Sequence, residues 1–166
     1  HGLLLDVLRR FHQAYPAIRL KIRNDSATRV LQALHGGQID FAVVTMPVGP
    51  MQRPFRRTDL KPFRDVLVGG RPFAELAHQT LSLADLSQYP MVGLARDTAT
   101  FSFYSNFYMA HGLEFDPDME VATADLLLPM IENDLGLGFV PEKFAGEALE
   151  AGRVVQLKLK ETIPER

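Results

Sequence analysis

Hydroxyl side chains stand at three points where the sequence pattern changes from strand-like to helix-like. Ser26 and Thr28 follow one apolar segment, Thr98 and Thr100 follow a second, and Thr123 follows a third. Such residues cap helix N-termini, where unpaired backbone N–H groups and the positive end of the helix dipole favour a carboxylate or another hydrogen-bond acceptor. Capping alone explains each of them singly. Together they indicate one ligand crevice, because the carboxyl ends of parallel strands lie at the same edge of a sheet.

Other patterns that could carry chemistry have simpler explanations. Gly136-Leu137-Gly138 leads into a strand instead of leaving one, and the third glycine of a dinucleotide-binding fingerprint is absent. His35-Gly36-Gly37 is typical of a helix C-terminus, and the sequence has no G-x-S-x-G nucleophile motif. The five histidines lack the paired spacing that places two imidazoles on one metal ion. We therefore predict no catalytic residue, no metal site and no cofactor.

The composition is that of a globular domain with its own core. The chain has 166 residues, 46% of them hydrophobic, and 18 Lys and Arg against 20 Asp and Glu. A formal charge of −2 excludes a strongly basic nucleic-acid-binding segment. The absence of cysteine excludes disulfides and thiol chemistry and favours a cytoplasmic location. No apolar stretch approaches the roughly 18 residues of a membrane helix, and the first residues do not form a signal peptide.

Hydrophobic periodicity predicts alternating strands and helices, the pattern of an α/β protein with parallel sheets. Apolar residues at three- and four-residue spacing predict a first helix that ends near Ala14, before Pro16. The helical spacing of Tyr104, Phe107 and Tyr108 predicts that their rings pack in a core or an interface. Strands are predicted at 18–22, 39–44, 66–68, 90–94, 120–122, 135–140 and 154–159. Further helices are predicted at 28–35, 83–86, 101–110, 123–131 and 141–151.

Several weak motifs occur in an order that matches a known family. Residues 8–20, LRRFHQAYPAIRL, combine a helix end, a Tyr-Pro pair and a short strand, and residues 31–42 read LQALHGGQIDFA. Residues 83–90, 111–113 and 135–142 follow with LADL and YP, HGL, and LGLGFVPE. In this order and spacing the chain resembles the ligand-sensing domain of LysR-type transcriptional regulators, whose signature L-x-x-G-x-L-D-x-A is similar to residues 31–42. The resemblance covers essentially the whole chain.

The resemblance implies an α/β fold of two Rossmann-like lobes with mixed, mainly parallel sheets, similar to type-2 periplasmic binding proteins and joined by crossover strands. We expect lobe I over residues 1–67 without its first strand, lobe II over 68–153, and a crossover strand returning toward lobe I over 154–166. The resemblance also implies that a winged helix-turn-helix DNA-binding domain and a linker helix precede this segment, and that a closing strand and helix follow it.

Effector contacts carried over from the family by position fall at the ends of strands and the starts of helices. Ala27 stands where many members have Ser or Thr, and Thr45 stands where some have an arginine that pairs with an acidic effector. These departures favour a less highly charged ligand, or recognition by hydroxyls and backbone N–H groups. The expected effector-binding residues are Ser26, Ala27, Thr28 and Thr45 from lobe I and Thr98, Ala99, Thr100, Phe101 and Thr123 from lobe II.

By resemblance, the chain is expected to be a ligand-sensing regulatory domain and not an enzyme. The expected partner is a small-molecule effector in the cleft between the lobes, with a carboxylate as one candidate. DNA is expected to bind only through the absent N-terminal domain. No membrane association is expected. We expect a cytoplasmic homodimer or tetramer in which the first helix of one subunit meets the helix over 101–110 of the other. The alternative is a periplasmic-type solute-binding protein, which would need a signal peptide. An enzyme on this fold, such as the porphobilinogen-polymerising transferase, anchors its cofactor on a cysteine that this chain lacks.

Overall fold

The computed structural model describes residues 2–45 and 55–166 of the chain. Its α-helices are α1 (Gly2–Ala14), α2 (Ala27–His35), α3 (Ala99–Met109), α4 (Leu127–Glu132) and α5 (Glu142–Glu150). Its strands are β1 (Asp65–Gly70), β2 (Thr80–Leu81), β3 (Val92–Leu94), β4 (Met119–Val121), β5 (Leu137–Pro141) and β6 (Val154–Leu159). Two 3-10 helices, Arg71–His78 and Asp85–Gln88, flank β2. The predicted mixed α/β architecture is confirmed, and α1 ends at the predicted residue.

The strands form mixed sheets. Four strands pair in the order β2-β6-β1-β5, with β1 antiparallel to both of its neighbours and β2 parallel to β6. Strands β3 and β4 form a parallel pair, and a parallel bridge between Met91 and Leu137 joins that pair to β5. All the strands in the described residues therefore belong to one body, residues 65–159, which we call the sheet body.

The core lies on both faces of β1, whose residues are all buried. Leu67 faces the aromatic residues of α3, whereas Val66 and Val68 face α4 and α5, as the two-residue period of a strand requires. The rings of Tyr104 and Phe139 stack with centroids 4.4 Å apart. The prediction that the aromatic residues of α3 pack in a core is confirmed. Helix α3 is consequently anchored to the sheet along its length, and its N-terminus has a fixed position.

Two sequence predictions are wrong in the N-terminal part of the chain, residues 2–45. Residues 18–22 alternate apolar and basic side chains, and residues 39–44 form an apolar run broken only by Asp40, yet neither segment is a strand in the structure. Ile22 and Phe41 each keep 69% of their surface exposed. Alternation shows only which side chains share a face, whereas a strand also needs a hydrogen-bonded neighbour. Within the described residues neither segment pairs with another strand.

The segments that lead into and out of the sheet body lie side by side. We call them the joining segments, residues 55–64 and 160–166. The N–H of Phe63 donates to the carbonyl of Arg166 at 2.9 Å, and the N–H of Arg166 donates back to the carbonyl of Phe63 at 3.0 Å. An exposed ion pair between Arg64 and Glu165, at 2.6 Å, continues this pairing. The two connections therefore form a single paired unit.

Candidate functional site

The start of α2 is capped by the predicted hydroxyl. Ser26 has extended backbone, and its Oγ accepts from the N–H of Arg29 at 3.5 Å. Asp25 supports the same turn, because its Oδ1 accepts from the N–H of Ser26 at 2.9 Å. That hydrogen bond, assisted by Arg23 and Arg29, lowers the pKa of the Asp25 carboxyl. Ala27 is the first residue of the helix, so its backbone N–H belongs to the unpaired first turn.

The start of α3 repeats this arrangement in the sheet body. Thr98 has extended backbone, and its Oγ1 accepts from the N–H of Phe101 at 3.1 Å. The side chain is buried with only 6% of the residue exposed, so the cap is enclosed by protein. Ala99 and Thr100 form the first turn and are partly buried. Both capping predictions are confirmed, and both leave first-turn N–H groups facing outward from the helix.

One hydrogen bond joins the two capped helices. Thr28 Oγ1 donates to the backbone carbonyl of Asp97 at 3.3 Å. Thr28 lies in the first turn of α2, and Asp97 immediately precedes the cap of α3. The structure therefore brings together two predicted sets of site residues, 26–28 and 98–101, which the sequence separates widely.

A second contact brings the Thr123 region to the same place. Asn24 Nδ2 donates to Asp125 Oδ1 at 3.4 Å. The hydroxyl of Thr123 donates to the Asp125 carboxylate, and this bond is the main reason that the pKa of Asp125 lies below its ordinary value. The prediction that Thr123 caps the next helix is wrong. Helix α4 begins at Leu127, and no side chain caps it. The chain first makes a turn in which the Thr123 hydroxyl donates to the Asp125 carboxylate, so this hydroxyl does not bind an N–H of the helix.

Thr100 has a partner that local sequence patterns do not indicate. Its Oγ1 accepts from Arg166 Nη1 at 2.8 Å, and the same guanidinium binds Asp65 Oδ2 through Nη2 at 2.6 Å. The hydroxyl of Tyr104 also donates to Asp65 Oδ2. Burial, and secondly the charge of Asp65, raise the pKa of Tyr104 well above 10.0, so it remains a neutral donor. No short-range pattern could reveal these contacts, because 66 and 101 positions separate Thr100 and Asp65 from Arg166.

The remaining two predicted residues take different positions. The guanidinium carbon of Arg96 lies 5.3 Å from the centre of the Phe101 ring, which places a cation over that ring at the start of α3. Thr45 is partly buried and borders residues 46–54. Within the described residues, Thr45 makes no hydrogen bond to another predicted site residue.

The space around these residues is small in this arrangement. A cavity of about 10 Å³ beside Thr100 and Phe101 has room for about one water molecule. A larger cavity of about 260 Å³ lies against α2 and is lined by Arg23, Arg29, Gln32, Ala33 and Gln38. Across residues 2–45 and 55–166, no group of three His, Asp or Glu side chains could hold a metal ion, and no helix is long and apolar enough to cross a membrane.

Comparison with known proteins identifies the family that the geometry resembles. The family model described as LysR substrate binding domain matches residues 1–166. A probable RuBisCO transcriptional regulator from Chlorokybus atmophyticus is 22% identical over 172 residues, covering 99% of this chain and 54% of that protein. The chain therefore spans about half the length of the curated relatives that it matches.

Two solved structures are similar to the whole chain in fold. The regulatory domain of CcmR from Synechocystis PCC6803, solved in complex with 2-PG, has a TM-score of 0.78 at 16% identity and covers 99% of this chain and 78% of that one. The effector binding domain of QuiR in complex with shikimate has a TM-score of 0.76 at 14% identity, with coverage of 98% and 77%. These similarities confirm the type-2 periplasmic-binding-protein-like fold that the sequence resemblance implies.

Proposed function

Because this chain belongs to the family of LysR substrate-binding domains, we propose that it is the ligand-sensing domain of a LysR-type transcriptional regulator. Its ligand is a small-molecule effector held between two lobes, of which the second contains the paired strands β1 and β6, and the joining segments connect the lobes. DNA is bound by a preceding domain of the same protein. We assign no enzymatic activity to the chain and place the regulator in the cytoplasm.

The observation that carries this proposal is the hydrogen bond between Thr28 and the carbonyl of Asp97, which sets the first turns of α2 and α3 beside each other. Two helix N-termini at one place concentrate unpaired N–H groups and positive dipole ends. A ligand with acceptor atoms gains from both helices at once. Such a ligand must displace or bridge this contact, so its binding changes how the N-terminal part meets the sheet body.

Hydrogen-bond polarity at the caps favours an effector rich in acceptor atoms. Ser26 Oγ and Thr98 Oγ1 each accept from a backbone N–H, and Thr100 Oγ1 accepts from a guanidinium. A hydroxyl that already accepts retains its proton for donation. We therefore propose a carboxylate effector. Shikimate, bound by the similar domain of QuiR, is itself a carboxylate.

The proposed site contains the residues around these two helix starts. Ser26, Thr100 and the backbone of Ala27 and Ala99 contact the ligand, the buried Thr98 holds the start of α3 in place, and Thr123 acts through Asp125. The complete proposed set of effector-binding residues is Ser26, Ala27, Thr28, Thr45, Thr98, Ala99, Thr100, Phe101 and Thr123.

We further propose that the regulator is a homodimer or a tetramer, with α1 of one subunit against α3 of another. Leu4, Val7 and Phe11 lie on one face of α1 at three- and four-residue spacing, and they form an exposed apolar surface there. Helix α3 has less exposed apolar surface than its sequence indicates. Most of its aromatic rings are buried in the core, and Met109 is its main exposed apolar residue.

A thermal-shift screen of the full-length regulator with small carboxylates and their amide analogues tests this function. A one-site ligand at a hundred times its Kd stabilises by about 2.7 kcal/mol. We expect at least one carboxylate to raise the Tm while its amide does not; no response to any compound would contradict an effector-sensing role. The upstream reading frame separates the rival function, because a winged helix-turn-helix supports a regulator and a signal peptide supports a solute-binding protein.

A further inference from the structure

Arg166 lies where the two joining segments pair, and aromatic rings enclose its side chain. Its side chain is only 5% exposed. The guanidinium carbon lies 5.1 Å from the ring centres of Phe63 and Phe103 and 5.7 Å from that of Tyr104. Buried cation–π contacts of this kind stabilise an arginine whose charge is otherwise removed from water.

The guanidinium connects three parts of the molecule. One nitrogen binds Asp65 at the start of β1, and another donates to the Thr100 hydroxyl in the first turn of α3. The backbone of Arg166 exchanges two hydrogen bonds with Phe63 on the opposite joining segment. Arg166 therefore joins both connections of the sheet body to the helix start that forms half of the proposed site.

The ion pair is not arranged for maximal stability. Within the described residues, Asp65 Oδ1 and Arg166 Nε are both buried without a hydrogen-bond partner. A buried ion pair with an unpaired donor and acceptor retains much of its desolvation cost. The pair instead determines the orientation of the guanidinium. Asp65 fixes one edge of this planar group, and another edge then points at Thr100.

We propose that Arg166 is a positioning residue of the effector site, which acts through Thr100 to hold the first turn of α3 against the paired joining segments. This inference rests on the proposed function. The Thr100 oxygen accepts from Arg166, so the Thr100 proton points to the ligand and selects an acceptor there. A ligand that displaces Thr100 also displaces the joining segments through Arg166. Effector binding is thereby linked to the angle between the lobes.

Amide hydrogen exchange on the ligand-free full-length regulator tests the positioning role without any effector. The variants are Thr100→Val, which removes the acceptor, and Arg166→Lys, which keeps the charge but cannot bind Asp65 and Thr100 in one plane. We expect each to raise exchange of the Ser102 and Phe103 amides by about tenfold to a hundredfold, the factor that corresponds to losing one charged hydrogen bond. The double variant should show little more than either single variant, because both remove the same bond.

Matched controls come from the same segments. Arg64→Lys alters the exposed ion pair to Glu165 on the same joining segments, and Ser102→Ala removes a hydroxyl that donates to the Thr98 carbonyl. Arg64→Lys should leave exchange of the Ser102 and Phe103 amides within about twofold of wild type, and Ser102→Ala should do the same for the Phe103 amide. Thr100→Ser should restore slow exchange of both amides. Unchanged exchange in Thr100→Val, or additive effects of Thr100→Val and Arg166→Lys, would overturn the proposal. A failed ligand screen would contradict the proposed function and leave this result unaffected.

Discussion

Thr28 and Asp97 are 69 positions apart in the sequence, and the hydroxyl of the first donates to the backbone carbonyl of the second at 3.3 Å. This contact joins the start of α2 to the residue before the α3 cap. The proposed effector site is therefore a property of how two parts of the chain meet. Its constituent caps, by contrast, are local and can be tested one at a time.

The first prediction concerns the buried cap of α3. Thr98→Val should lower the free energy of unfolding by about 0.5–2 kcal/mol, because the N–H of Phe101 loses its acceptor inside the protein. Urea denaturation measures the change. Thr98→Ser is the control, since it keeps the oxygen and should remain close to wild type. Equal stability of the valine and serine variants would show that the cap contributes nothing.

The second prediction concerns alkaline pH. Burial raises the pKa of Tyr104 and of Tyr108, so both remain protonated in the folded protein above pH 10 while the unfolded chain releases its protons. The unfolded state then binds fewer protons, and stability falls as pH rises, by about 1.4 kcal/mol per pH unit for each such tyrosine. Tyr104→Phe should remove one tyrosine's share of this slope in urea denaturation above pH 10. A slope that does not change in the variant would contradict the burial of its hydroxyl.

The third prediction concerns assembly through α1. Phe11→Glu places a charge in the exposed apolar surface of the helix and should convert a dimer into a monomer at micromolar concentration, because burying an unpaired carboxylate is costly. Light scattering on the full-length regulator gives the mass. Gln13→Glu adds the same charge on the opposite side of the helix and should remain dimeric. If Phe11→Glu has the mass of the wild type, α1 does not form the interface.

How much the sequence predicts depends on how far apart the interacting residues lie. The caps at Ser26 and Thr98 are predictable because each hydroxyl binds an N–H three residues away. The nearly continuous apolar run over residues 39–44 is typical of a buried strand, but strand formation depends on a neighbour that the local pattern does not specify. Thr123 does not cap a helix, because its hydroxyl donates to the carboxylate of Asp125, two residues further along the chain.

The contacts that assemble the proposed site are the ones that sequence patterns do not show. Tyr104 appears in the sequence as one core aromatic among several, and nothing marks its hydroxyl as a partner of Asp65. Arg166 follows no motif at all. Its contacts arise because the two joining segments pair and α3 packs across them, which is a consequence of the completed fold. Family resemblance predicts where the cleft lies, and the structure adds this network.

The fourth prediction tests the central claim, that an effector binds between the starts of α2 and α3. With a ligand identified by the carboxylate screen, calorimetric titration compares the wild-type regulator with Ser26→Ala and Thr100→Val. Each hydroxyl that bonds a charged effector should be worth about 1.5–3 kcal/mol, and about 0.5–1.5 kcal/mol for a neutral one. Ser102→Ala is the matched control on α3, because its hydroxyl donates to the Thr98 carbonyl.

The outcome of this titration decides between a ligand site and two ordinary helix caps. A site at the two helix starts predicts that Ser26→Ala and Thr100→Val both weaken binding, while Ser102→Ala binds like wild type and circular dichroism shows that all variants are folded. If both variants bind with unchanged affinity and remain folded, these hydroxyls only cap or brace their helices, and the effector binds elsewhere.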